Sequence, residues 1–84
     1  GSAIKVFPNP TTNGQTIEIF TQKVSDLTIE MYDIMGRKIK TVYSGNSNDG
    51  QTIINNDVSK LPNSLYIYVI NINGESTIKK IIKQ

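Results

Sequence analysis

Apolar and polar residues alternate with a period of two along nearly every hydrophobic stretch of this chain. Those stretches are rich in Ile, Val, Thr and Tyr, the side chains that suit a pleated, half-buried surface. Ile4-Lys5-Val6-Phe7 reads as a short first strand, stopped by Pro8 and Pro10, which cannot donate to a ladder. Thr16–Phe20 places Ile17 and Ile19 on one face, and Leu27–Tyr32 buries Leu27, Ile29 and Met31 while exposing Thr28 and Glu30. Lys38–Tyr43 turns Ile39 inward and Lys38 and Lys40 outward, and Gln51–Asn55 carries Ile53 and Ile54. Leu65–Ile72 is apolar on both faces, which predicts a central strand covered on both sides. Ser76–Ile82 is a lysine-dotted last strand. Ile78 and Ile82 share a face with Lys80, whereas Ile81 points the other way beside Lys79 and Lys83. A bulge near Lys79-Lys80, or cover on both faces, would reconcile that pattern.

Asn13-Gly14, Asn48-Asp49-Gly50 and Asn73-Gly74 punctuate the strands with residues that tolerate positive φ. Asn73-Gly74, between two strands, is the strongest hairpin signal. No long segment has helical periodicity, and Val58-Ser59-Lys60-Leu61 could form one helical turn at most. Seven short strands spaced by turns predict an all-β fold, a seven-stranded immunoglobulin-like antiparallel β-sandwich.

Composition narrows the function. A chain of 84 residues hides only about 60–65 % of its unfolded surface, so its core is small. Cysteine, histidine and tryptophan are absent. No disulfide or thiolate–metal staple can form, and the usual neutral-pH base and the best sugar-stacking surface are missing. Nine basic against seven acidic residues, a net charge of +2, is too weak a balance to argue for nucleic acid. No apolar run reaches the roughly 18 residues of a membrane-spanning helix. Gly1-Ser2-Ala3 reads as a remnant of tag removal, leaving residues 4–84 as one domain cut from a larger protein.

No group is placed for covalent chemistry. Glu18 and Glu30 are candidates for cross-strand neighbours, yet each sits between inward aliphatics and so points to solvent. Serine and threonine lack a histidine to activate them, and nothing near the lysines would depress their pKa. Asn46-Ser47-Asn48-Asp49-Gly50 is oxygen-rich but lacks the spaced carboxylates and closing Glu of a calcium loop. Turn chemistry accounts for it, and no metal or cofactor is expected. Lys38, Lys40, Lys60, Lys79, Lys80 and Lys83 with Arg37 would form a basic strip if their strands were adjacent, although edge lysines also discourage aggregation. Tyr66 and Tyr68 are expected in the core with their hydroxyls at its rim.

Two short segments remain. Pro8-Asn9-Pro10 holds the entering chain extended, either as a stiff crossing from one sheet to the other or as a presented recognition surface. Tyr32-Asp33-Ile34-Met35-Gly36-Arg37 is a polar turn with its only glycine at the bend. Val6-Phe7-Pro8-Asn9-Pro10, the strand Thr28–Asp33 running into Met35-Gly36-Arg37, Leu61-Pro62 before Tyr66, and Lys79-Lys80-Ile81-Ile82-Lys83 stand in this order over nearly the whole chain. Together they make it resemble the C-terminal sorting domain of cargo exported by the type IX (Por) secretion system of Bacteroidetes. That family usually has glycine where Ser64 stands. A differently shaped turn is expected there, with Asn63 a candidate for the left-handed conformation.

The resemblance implies a non-enzymatic signal that directs its parent through the outer-membrane translocon. Cleavage would usually follow, with release or surface attachment of the cargo. It implies as partners the translocon, its outer-membrane shuttle and cleavage machinery, and a parent cargo domain upstream. It also implies passage through the periplasm to the exterior or the outer-membrane surface. Pro8, Asn9, Pro10, Gly36, Arg37, Lys79, Lys80, Ile81, Ile82 and Lys83 are the expected recognition residues. Self-association through edge strands is a further possibility. The rival reading is a carbohydrate-binding or adhesive sandwich, which would need Phe20, Tyr32 and Tyr43 coplanar and exposed.

Overall fold

In the computed structural model, which describes residues 3–84, the chain order is β1 (Ala3–Phe7), β2 (Gly14–Thr21), β3 (Asp26–Asp33), β4 (Lys38–Asn46), β5 (Gly50–Asp57), β6 (Ser64–Ile72) and β7 (Glu75–Lys83). Each strand predicted from the alternation is present, extended by up to a few residues. Gly1 and Ser2 of the tag reading lie outside the described residues, whereas Ala3 opens β1 opposite Phe20.

The strands form two sheets, a three-stranded one in the order β1-β2-β5 and a four-stranded one in the order β4-β3-β6-β7. Every neighbouring pair is antiparallel. Ile17 and Ile19 of β2 meet Leu27, Ile29 and Met31 of β3, Tyr66, Tyr68 and Ile70 of β6, Ile81 of β7 and the loop residue Val58. Each fully buried aliphatic side chain of this kind stabilises the fold by about 1.5–3 kcal/mol. At the β6–β7 hairpin Asn73 (φ +50°) and Gly74 (φ +87°) both take positive φ, the geometry that matches the twist of paired strands.

Three features depart from the pattern expected of the sequence. β6 is central within its sheet but covered on one side only: Tyr66, Tyr68 and Ile70 are buried, whereas Leu65, Ile67 and Val69 on the outer face are half-buried. β7 needs neither a bulge nor a second cover, because it pairs with β6 in unbroken register from Glu75 to Lys83. Its inward Ile81 enters the core, and Ile78 and Ile82 are left 61 % and 45 % exposed. The irregularity lies in β4, whose register against β3 shifts twice. Ile39 and Val42, three apart, thereby both pack against the core. Bulges on an edge strand also blunt it against pairing with another chain.

Strand direction sorts the connections into two poles. The ends of β1, β3, β5 and β7 and the starts of β2, β4 and β6 share one pole: Phe7 opposes Thr16, Gly14 opposes Asp57, Asp33 opposes Tyr66 and Ser64 opposes Lys83. A parallel bridge from Thr11 to Lys83 ties the two sheets together there. This is the tail pole. Ala3, the β2–β3 connection and the β6–β7 hairpin lie at the far pole.

Candidate functional site

Pro8-Asn9-Pro10 crosses from the three-stranded sheet to the open edge of β7. Both of its X–Pro bonds are cis. Between two residues without N–H groups, the Asn9 carboxamide supplies a donor and an acceptor side by side, as a peptide unit does. Its Nδ2 donates to the Lys80 carbonyl at 3.1 Å, and its Oδ1 accepts the Ile82 N–H at 2.9 Å. The backbone then takes over: Thr11 N–H donates to the Ile82 carbonyl at 2.9 Å, and Gln84 N–H donates to the Thr11 carbonyl at 2.8 Å. One side chain and one residue thus act as a short extra strand that closes the last part of the β7 edge.

The same segment is held from within. Gln15 Nε2 donates to the Pro8 carbonyl at 2.9 Å. Gln15 Oε1 accepts the Tyr68 hydroxyl at 2.7 Å, and that hydroxyl accepts from Asn56 Nδ2 at 2.9 Å. The Tyr68 hydroxyl is therefore not at the rim; it sits between the sheets, where Gln15 and Asn56 satisfy it. Burial pushes its pKa up, opposed by the Asn56 hydrogen bond. Tyr66 fits the rim expectation, donating to the Pro62 carbonyl at 2.6 Å. Gln15, Asn56 and Thr11 were not expected in this assembly. Gln15 and Asn56 stand on the core-facing phase of β2 and β5, in step with Ile17 and Ile54, and an inward amide in an aliphatic alternation is the signal that marks them.

The second motif is a self-contained turn at the same pole. Asp33 Oδ1 accepts the N–H groups of Met35 and Arg37, both at 2.9 Å, and Oδ2 meets Arg37 Nε at 2.9 Å. The Arg37 N–H contributes most to holding the Asp33 carboxyl below its usual range; desolvation opposes, and the guanidinium and the Met35 N–H add to the lowering. Gly36 takes φ +83°, and a Cβ added there would meet nothing within 4 Å, so only backbone conformation demands glycine. Gly36→Ala is expected to cost about 1–2 kcal/mol and to lower the midpoint of a thermal melt by several degrees. Ile34, Met35 and Arg37 project from this turn, the Arg37 side chain 79 % exposed.

The structure divides the expected recognition residues. The Asn9 side chain joins Pro8-Asn9-Pro10 to the backbone of the β7 tail, with Gly36 and Arg37 two strands away across the sheet. Lys80 and Ile82 face outward, and Lys79 is half-buried on the inner side. Ile81 and Lys83 are 1 % and 6 % exposed, so their side chains are not available to a partner. Ile81 fills the core, and Lys83 turns in because its Nζ finds Asn63 Oδ1 at 3.2 Å and the Gln84 carbonyl at 3.1 Å. That use of Asn63 replaces the left-handed turn expected of it: Asn73 is the non-glycine residue at positive φ among those described, and Ser64 simply begins β6 opposite Lys83.

Other expected neighbours are separated. Glu18 lies on β2 and Glu30 on β3, in different sheets. Glu18 accepts from Gln51 and Glu30 binds Lys38 at 2.6 Å. Lys38 and Lys40 are on one edge strand of the four-stranded sheet and Lys79, Lys80 and Lys83 on the other, so no continuous strip forms. Asn46–Gly50 is tied down by its own bonds, Asn48 N–H to Thr52 Oγ1 at 2.8 Å among them. Among the described residues no cluster of acidic side chains could hold a metal. Phe20 and Tyr32 lie on different sheets, and Tyr43 packs against the core with its hydroxyl on the Asn46 carbonyl; they form no common platform for a sugar.

The profile of the family described as secretion system C-terminal sorting domain matches residues 5–84. The chain belongs to that family. No curated protein matches it. As a type IX sorting domain it is a secretion signal and not an enzyme, and its place is extracytoplasmic, with a secreted or surface-associated protein. Pro8-Asn9-Pro10 and the lysine tail, far apart in sequence, are in this sorting domain one hydrogen-bonded unit.

Proposed function

We propose that the tail pole is the surface by which the type IX machinery reads this sorting domain. The observation that carries this reading is the docking of Asn9 on β7, which fixes Lys80 and Ile82 as an outward-facing pair at the pole that also bears Arg37. Pro8, Asn9, Pro10 and Gly36 set the shape of that pole; Arg37, Lys79, Lys80 and Ile82, with Ile34 and Met35 at the turn, are its contact side chains. Ile81 and Lys83 hold it from beneath. The partners are the translocon with its outer-membrane shuttle and cleavage machinery. The route runs through the periplasm to the surface or beyond, and a cargo domain precedes residues 4–84. The order of three strands over four, with the first segment switching sheets, supports an immunoglobulin-like arrangement.

The test fuses residues 4–84 to a fluorescent reporter with an inner-membrane signal peptide, in a bacterium that has this secretion system. Export is expected in the competent strain and not in a translocon-deficient one. Arg37→Glu with Lys80→Glu is expected to reduce export roughly tenfold, equivalent to about 1.4 kcal/mol of lost contact, with a cooperative thermal melt retained and its midpoint lowered by only a few degrees, since the exposed Arg37–Asp33 pair is given up. Full export of a folded double variant would remove these two cations from the contact surface. A folded wild-type fusion retained in the periplasm would count against the sorting role itself.

A further inference from the structure

β7 keeps unused backbone hydrogen-bonding capacity next to the segment that Asn9 and Thr11 close. The Lys80 carbonyl, the Ile82 N–H and carbonyl and the Gln84 N–H all point away from β6 and are all occupied. In an antiparallel ladder such outward groups recur at every second residue, so Ser76 and Ile78 direct theirs outward too. Among the described residues nothing meets them there. Glu75–Ile78 contains no proline and no register shift, two of the devices that usually blunt an edge and of which β4 has the second.

The surroundings of this open stretch have a definite chemistry. On the outer face Ile78 stands exposed opposite the half-buried Val69. On the inner side Glu75 and Thr77 line a cleft of about 230 Å³ with Thr21, Lys23, Ser25 and Ile72. A strand laid along β7 would send alternate side chains over Ile78 and into this mainly polar cleft. Lys79 forms no ion pair among the described residues, while Glu75 sits at the hairpin end with Lys23 lining the same cleft. The cationic end of the edge is therefore the one nearer Asn9.

We propose that the Glu75–Lys79 edge of β7 accepts one extended strand of a partner protein, with an aliphatic residue beside Ile78, a small polar residue beside Thr77 and an acidic residue beside Lys79. The Asn9–Thr11 crossing ends the available edge at Lys80, so the added strand is about five residues long. The partner's place in secretion rests on the sorting reading; the mode of binding does not.

The probe is the peptide acetyl-Thr-Glu-Val-Ser-Val-Thr-amide, added in excess to the isotopically labelled 84-residue chain while amide exchange is followed by NMR. In the free chain the Ser76 and Ile78 amides are expected to exchange quickly and those of Ile82 and Gln84 slowly. The peptide is expected to slow Ser76 and Ile78 about tenfold, and a version N-methylated at alternate amides to have no effect. Replacing its Glu by Lys is expected to weaken it. Ile78→Pro removes an N–H that makes no bond to β6, and Ile78→Lys leaves the backbone intact; both are expected to abolish the protection with the fold retained. Slow Ser76 and Ile78 amides in the free chain, no response to the peptide, or full protection in both variants would each overturn the proposal. In the export assay, a binding-deficient Ile78→Lys fusion that still exits normally would overturn the edge as the partner's site. Failure of the unaltered fusion to exit would instead strike at the sorting reading.

Discussion

Deleting Lys80–Gln84 is expected to unfold the domain, beyond removing contacts at its surface. The five residues include Ile81, which is 1 % exposed in the core, and losing a buried aliphatic of that size costs about 2–5 kcal/mol. They also include the β7 half of four ladder pairs, from Ile67–Lys80 to Ser64–Lys83, and every partner of Asn9 and Thr11 on that edge. Each hydrogen bond contributes about 0.5–1.5 kcal/mol net. A natural domain of this length is stable by only about 4–13 kcal/mol, so the combined loss is comparable to the whole. Circular dichroism and a urea titration check it: no cooperative transition is expected, and a sharp one within about 5 °C of the parent's thermal midpoint would refute it. Truncation is consequently a poor probe of recognition, because it removes the fold along with the signal. Charge reversal at the outward-facing Lys80 separates the two.

Tyr68→Phe removes a single oxygen and is expected to destabilise by about 2–4 kcal/mol. The change orphans Gln15 Oε1 and leaves Asn56 Nδ2 with only the weak acceptor Met31 Sδ at 3.6 Å, both amides being buried between the sheets, and an unsatisfied buried polar group costs about 1–3 kcal/mol. For a domain of this size the thermal midpoint should fall by roughly 10–25 °C. The pH dependence follows from the same geometry. Burial raises the Tyr68 pKa above its ordinary value, so the fold favours the neutral phenol. That contribution is fully present below the unfolded-state pKa of about 10 and is lost as pH rises through the higher folded-state value. Urea midpoints between pH 8 and 11 (a range chosen to bracket about 10) should decline more steeply for the parent than for Tyr68→Phe. Equal slopes would show that the hydroxyl is not desolvated as described.

Much of the fold was legible because a strand with one buried face must alternate. Ile17 and Ile19, and Leu27, Ile29 and Met31, are all core, as period two requires. What alternation cannot supply is which strands become neighbours. Glu18 and Glu30, and the lysines of β4 and β7, are each similar in sequence context yet end in different sheets or on opposite edges. β7 was ambiguous for a physical reason: an exposed isoleucine looks the same in sequence as a covered one, and Ile78 and Ile82 are exposed. Gln15 and Asn56 each fall one residue outside the strands that alternation marks, Thr16–Phe20 and Gln51–Asn55, so their inward phase shows only once β2 and β5 are extended. Pro8-Asn9-Pro10 was legible as either a stiff crossing between sheets or a presented surface, and the structure has it make the crossing. That Asn9 uses its side chain as strand backbone was not, since its partners lie more than seventy residues away.

β1 starts at Ala3 beside Phe20, at the pole opposite the one that bears Asn9, Arg37 and Lys80. Strands of eight or nine residues set those poles roughly 26–30 Å apart. On the proposed reading of the tail pole, a cargo domain joined ahead of residue 3 would lie clear of the surface that the machinery reads.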